Sequence, residues 1–320
     1  MDDSCYAVAL KRLAGGRHGA CLRRASFGEA GVQPLLPQLA VYVLTVPALA
    51  QRVRRMTQRL TAARVHDVTW VLCANREDVG SFDAATRRCL HPEYVPHPWS
   101  RRTDSTSRKW QMANGTLSLA LKHQVAAWDI VRRQLQAGLI LEDDAMLPAD
   151  LWSRLATLTT PRDADVFYLG SYSSRPHVAT LRAEPIAVQN ANVGDGSAGG
   201  VSILRVHKRT SGGQPLLVGT NAYILFGRAA RALLRPVRVE ADNWLSLIDA
   251  PNQCRWQQGN AGKAPEPEKC GRLSAPPLHQ YGPSQWIIGQ DLHGLQQMTH
   301  YDSPAPPHAP PPSRKEHQAQ

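Results

Sequence analysis

The sequence predicts an α/β protein built on a mainly parallel central sheet. Short apolar runs of strand character recur along the middle of the chain: LAVYVLTV (39–46), VTWVLC (68–73), LILE (139–142), DVFYLG (165–170) and VGTNAYILF (218–226). Segments of helical periodicity fall between several of them. Strand and helix in alternation favour parallel strands joined by crossover helices. The chain is long enough for this, at 320 residues with 42% hydrophobic and 20% charged residues. That composition excludes low-complexity, collagen-like and coiled-coil architectures for the bulk of the chain.

The elements follow in order. Residues 1–38 mix glycine and arginine without a clear period and predict weak order. After the strand at 39–46, Leu49, Val53, Met56 and Leu60 recur at helical spacing with arginines on the other face. The strand at 68–73 leads into a long polar stretch containing Trp99 and Trp110. The clearest helix follows: Leu117, Leu121, Val125, Trp128, Val131 and Leu135 form one stripe. Asn114, Thr116 or Ser118 suits its N-cap, and Gly138 stands where a glycine C-cap is expected. Later come the strands at 165–170 and 218–226 and a helix over GRAARALLR (227–235). Residues 303–313 hold six prolines, so 296–320 are expected to be a disordered, Pro-rich tail. This leaves 39–295 as the folded domain.

The net charge is +11, with basic blocks at Arg52, Arg54, Arg55, Arg59, Arg64 and across residues 201–238. Such blocks attract phosphate, whether from a nucleotide, nucleic acid or lipid, or they are simply solvated faces. Among the six cysteines, Cys73 with Cys89 and Cys254 with Cys270 flank loops. Each pair reads equally as a bridge in an oxidising compartment or as free thiols elsewhere. No C-x-x-C spacing points to zinc. The acidic start MDDSCYAVALKRLAGG is unlike a signal peptide. The apolar stretch at 35–50 is broken by Pro37 and Pro47, short of the roughly 20 apolar residues that cross a membrane.

The strongest chemical signal is Glu142-Asp143-Asp144, directly after the apolar strand LIL. Three adjacent carboxylates repel unless a cation neutralises them, and Mg²⁺ or Mn²⁺ favours such oxygens. Glu142 and Asp144 would share a face and Asp143 would turn away. The competing reading is that Asp143 or Asp144 caps the helix around ADLWSRLATL. GDGSAGG (194–200) spells G-x-G-x-x-G, but the strand-like VSILRV follows it, so it is read as a loop. His123 lies off the helical stripe. Asp242, in VEADNWLS, reads alone as a cap. The sequon Asn114-Gly115-Thr116 sits at a helix start and reads as part of a cap.

The order of these motifs resembles glycosyltransferase family 25, over about residues 39–290. VYVLTV followed by Arg52, Arg55 and Met56 is similar to that family's opening strand and arginine-bearing helix, with Thr45-Val46 in place of Asn-Leu. NGTLSLALKHQVAAW is similar to its Gly…Ser-His…Trp helix, with Lys122-His123 in place of Ser-His. LILEDDAML is similar to its most characteristic string; FYLG, VGTNAYIL, ARALL, Asp242-Asn243-Trp244 and APPLHQYGPSQ are similar to later blocks. The resemblance implies a GT-A-like, Rossmann-type sandwich that transfers a hexose, galactose or glucose, with inversion. It implies a nucleotide-sugar donor such as a UDP-hexose, and a glycan or protein acceptor. Glu142, Asp143 and Asp144 would hold Mn²⁺ or Mg²⁺, and Asp242 would be the general base. Arg52, His123, Thr220 and Gln280 would contact substrate. The compartment implied is the secretory lumen for a eukaryotic chain, or the cytoplasmic membrane face for a bacterial-like one. The alternatives are a basic protein that binds RNA or another polyanion, and a degenerate transferase fold used as a scaffold.

Overall fold

The computed structural model describes residues 3–15, 21–26, 39–90, 114–156, 158, 160–161, 163–170, 185–186, 203–205, 221–236, 280–283 and 287–290. Asp242, Thr220, Cys254, Cys270, Trp99, Trp110, the loop at 194–200 and the tail at 296–320 lie outside the described residues.

The described elements run α1 (Asp3–Gly15), β1 (Leu22–Ser26), β2 (Leu39–Leu44), α2 (Ala50–Ala62), β3 (Asp67–Val71), α3 (Arg76–Gly80), α4 (Ala84–Leu90) and α5 (Asn114–Arg132). They continue with β4 (Ala137–Glu142), β5 (Ala145–Met146), α6 (Leu151–Ala156), β6 (Val166–Gly170), β7 (Pro185–Ile186), β8 (Ile203–Arg205), β9 (Ala222–Phe226), α7 (Gly227–Leu233), β10 (Gln280–Pro283) and β11 (Gly289–Gln290). The main sheet has the order β1-β3-β2-β4-β9-β6-β10-β8-β7, and β5 pairs with β11 in a small second sheet.

The protein is a mixed α/β structure. Six strands of the main sheet run one way (β2, β3, β4, β6, β7 and β10) and three run against them (β1, β8 and β9). The helical crossovers account for the contiguous parallel trio β3-β2-β4. β9 lies antiparallel between β4 and β6, although the sequence pattern favours a parallel neighbour. The described residues between β6 and β9 form two short strands, β7 and β8.

Alternation along the strands sorts side chains onto two faces. Tyr42, Leu44, Ile140, Tyr168 and Tyr223 pack on one side with α1, α5 and α7. Val41, Val43, Leu139, Leu141, Phe167 and Ile224 pack on the other with Met56 and Leu60 of α2 and Leu151 and Leu155 of α6. Helices therefore cover both faces. Met56 and Leu60 are fully buried, which contributes about 1.5–3 kcal/mol each.

Several local expectations are revised. Within residues 1–38, expected to be weakly ordered, the described residues form a helix, Asp3–Gly15, and an edge strand, Leu22–Ser26. Cys5–Cys89 ties α1 to α4, and Cys21–Cys73 ties the start of β1 to the end of β3. Cys73 and Cys89 are thus both bridged, but to the N-terminal segment and not to each other. Gly138 does not cap α5, because it lies within β4. Gln134, at φ 56°, takes the left-handed position, and the Leu135 and Gln134 amides donate to Ile130 and Val131 carbonyls at 3.0 and 3.1 Å. Gly138 is required for close packing: a Cβ there would lie 2.6 Å from Ile130 Cδ1 and 3.0 Å from Tyr42 Cε2. Finally, α5 already begins by Asn114, so the buried Ser118 lies inside the helix and does not cap it.

Candidate functional site at the β2–β4 crevice

Strand order locates the crevice. From β2 the chain crosses one face through α2 to reach β3, and it later returns along the other face through α5 to β4, on β2's opposite flank. Strands that diverge in this way leave a gap beyond their carboxyl ends, where open α/β sheets bind ligands. Leu44 and Glu142 face each other at that edge. The acidic string occupies it, turning at residues 143–144 into β5. Because α6 begins only at Leu151, Asp143 and Asp144 do not cap it.

The register then separates the three acids. Ile140 faces α5, so Glu142 does too; Leu139 and Leu141 face α2, as does Asp143. Asp143 accepts from the Thr45 hydroxyl at 2.7 Å and from Arg52 Nη1 at 2.9 Å. Arg59, two turns further along α2, donates to the Ala145 carbonyl at 3.2 Å. One face of α2 thus grips the turn at two points. Glu142 Oε1 lies 3.6 Å from His123 Nε2, and the Glu142 amide donates to the Asn221 carbonyl at 2.9 Å. Asp143 and Asp144 are both buried. Among the described residues, no three His, Cys, Asp or Glu side chains converge as a ready ligand cage.

His123 and Lys122 are buried, contrary to the stripe that placed His123 outside it. Helix α5 is enclosed on nearly all sides, packing on the sheet, α1, α3 and α7. The His123 Nδ1 lies 2.7 Å from the Tyr223 hydroxyl. Lys122 Nζ donates to the Cys73 carbonyl and, at 2.9 Å, to Asn75 Oδ1. Ala74 between them is held at φ 57°.

The structure gathers Arg52, His123, Glu142, Asp143 and Asp144 at one sheet edge. Gln280 is not among them: its backbone opens β10 opposite Val166, at the amino end of β6 and the far edge of the sheet. Sequence reasoning missed Thr45, Lys122, Tyr223, Asn221 and Asn75. The available signal was position: Lys122 and His123 stand midway along α5, between the apolar runs at 119–121 and 125–128.

No protein-family model matches the chain, and no curated protein is significantly similar to it. The described residues contain no helix long and apolar enough to cross a membrane.

Burial lowers the Lys122 pKa from 10.5 to about 8, against the weaker pull of Asp143, Asp78 and Glu77. Between those values the unfolded chain retains a proton that the folded chain has released. Stability therefore gains from this group as pH rises from 8 towards 10.5. The expected gain between pH 8 and 10 is about 2–3 kcal/mol, from roughly 1.4 kcal/mol per pH unit. Lys122→Met should abolish this rise in urea unfolding. An unchanged pH profile in the variant would refute it.

Proposed function

We propose that the chain is a metal-assisted, inverting hexosyltransferase with a GT-A-like, Rossmann-type fold, using a nucleotide-sugar donor and a glycan or protein acceptor. The observation that carries this reading is the acidic string at the carboxyl edge of β4, beside the β2–β4 switch and under the α2 arginines. Chain order adds support through the resemblance to glycosyltransferase family 25.

The donor set fits a hard divalent cation. Glu142 and Asp144 would supply carboxylate oxygens, while Asp143 is held by Arg52 and Thr45. Two protein carboxylates, with water and diphosphate oxygens in the other positions, suit Mg²⁺ or Mn²⁺ better than a closed protein cage. When bound, the cation would offset the charge that develops on the departing diphosphate. Arg52 uses one guanidinium hydrogen bond on Asp143 and keeps others for phosphate oxygens. Asp242 is our candidate for the base that takes the acceptor hydroxyl proton as that oxygen attacks the anomeric carbon. The disulfides fit an oxidising compartment.

Arginine pairing weakens the polyanion reading. Arg52 is engaged by Asp143, Arg228 by the buried Asp165, and Arg132 and Arg133 by Asp129. These arginines are therefore held by carboxylates of the chain, while the net charge of +11 is unchanged.

The test is a screen of nucleotide sugars for hydrolysis with Mn²⁺ and with chelator. Hydrolysis of one hexose donor in Mn²⁺ is expected, and Asp144→Ala should remove most of the Mn²⁺ support. If no donor turns over while RNA binds with a steep salt dependence, the polyanion reading replaces this one.

A further inference from the structure

We infer that Tyr223 and His123 form a buried donor chain that positions the Glu142 carboxylate at the crevice. The chain stands on geometry alone; its consequence for ligand binding rests on the transferase reading. Tyr223 is fully buried in β9, and its hydroxyl lies 2.7 Å from His123 Nδ1. The two rings stack with centroids 5.6 Å apart. On the other side of the imidazole, Nε2 looks towards Glu142 Oε1 at 3.6 Å.

Only one proton placement on a neutral imidazole suits both neighbours. The Tyr223 phenol keeps its proton, because burial first, then Tyr168 and Glu142, raise its pKa far above the usual range. That O–H has the Nδ1 lone pair directly before it. The imidazole proton then sits on Nε2, facing the carboxylate. The opposite tautomer would turn the Nε2 lone pair on a carboxylate oxygen, which is repulsive. At 3.6 Å the Nε2 to Oε1 approach is longer than a hydrogen bond, so its effect is electrostatic and orienting. The backbone of Glu142 is fixed independently, through its amide on the Asn221 carbonyl. What the chain adds is control of the side chain.

This changes the role of His123. The resemblance makes it a substrate contact, but both its nitrogens face protein groups and it is only 1% exposed. It is a positioning residue, and Tyr223 acts through it. Partners of this kind set the orientation and basicity of metal-facing groups, and losing one typically costs 10–100-fold in affinity.

The experiment has two arms. Imidazole ¹⁵N–¹H correlation spectra should show His123 protonated on Nε2 and bare on Nδ1 in the wild-type chain. Tyr223→Phe, which removes only the hydroxyl, should weaken that preference without reversing it, since Glu142 still faces Nε2; Glu142→Gln should weaken it likewise if the phenylalanine variant does not fold. A proton on His123 Nδ1 in the wild type overturns the chain. In the second arm, Mn²⁺ alone is titrated into both proteins. Tyr223→Phe should bind it about 10-fold more weakly while melting within a few degrees of wild type. Equal Mn²⁺ affinity overturns the positioning role. If the wild type itself binds no Mn²⁺, the transferase reading fails, and the imidazole spectra alone decide the chain.

Discussion

Removing the two disulfides is expected to lower the melting temperature by roughly 10–20 °C. The bridges span sequence separations of 84 and 52 residues. Loops of that size give about 4 kcal/mol each in the chain-entropy account. They are nested, residues 21–73 lying inside 5–89, so their sum falls short of twice that value. A loss of about 4–6 kcal/mol is still a large share of the 5–15 kcal/mol that holds a typical domain. For a chain of this size it corresponds to the stated shift, at about 2–4 °C per kcal/mol. The effect should reach the site. Cys73 offers its carbonyl to Lys122, and the Leu72 amide donates to the Cys21 carbonyl at 2.9 Å. Without the bridge, β1 and the β3–α3 loop lose their shared anchor. Calorimetry on the native chain, on the reduced chain and on the Cys5→Ser/Cys21→Ser variant checks this. A fall of less than about 3 °C would mean that the bridges do not constrain the unfolded chain.

Much of the scaffold is legible in the sequence because its central elements carry strong periods. The runs at 39–46, 68–73, 139–142, 165–170 and 218–226 all contain strands, and the stripes at 49–60 and 117–135 contain helices. What was not legible depends on distant partners. Nothing local in SCYAVALKRLAG states that it docks against α4; the Cys5–Cys89 bridge does. The direction of β9 is likewise a tertiary matter, since a run of apolar residues looks the same whichever way its neighbours point. Gly138 shows a subtler failure. Its place after a helical stripe suited a cap, while its true constraint is the Ile130 side chain packed above it.

The candidate site was half legible. The acidic string was evident because three adjacent carboxylates after an apolar strand demand compensation. Part of the compensation comes from the chain itself. A cation was expected to serve all three, whereas Asp143 is answered by Thr45 and Arg52. The departure Thr45-Val46 from the resembling family places a hydroxyl donor at this point. Tyr223 escaped notice because a tyrosine within AYILF reads as ordinary core. Its hydroxyl matters only because β9 lies beside β4 and beneath His123, a juxtaposition set by strand order.

Arg52→Met is expected to destabilise the fold by about 3–5 kcal/mol, the usual cost of leaving one member of a buried ion pair alone. The Asp143 side chain is 7% exposed and that of Arg52 15%, so water replaces little of the lost contact. Only the Thr45 hydroxyl would remain as an identified donor to that carboxylate. Asp143→Asn on its own leaves the Arg52 guanidinium facing a neutral amide, which is a milder loss. The double variant Arg52→Met/Asp143→Asn is the informative one. The carboxamide oxygen introduced in place of the Asp143 carboxylate can still accept from Thr45, and no uncompensated charge stays buried. The double variant should recover about 2 kcal/mol or more relative to the sum of the single changes. A rival account gives Arg52 wholly to the donor diphosphate. Under that account Arg52→Met would melt near wild type, the single changes would add, and donor affinity alone would fall. Urea unfolding of the four proteins separates the two. An additive cycle would remove the Arg52–Asp143 pair as the clamp on the acidic turn. A coupled one establishes it, and then the effect of Arg52→Lys on affinity for the proposed donor tests whether further guanidinium hydrogen bonds reach phosphate, because lysine keeps the charge but not the fork.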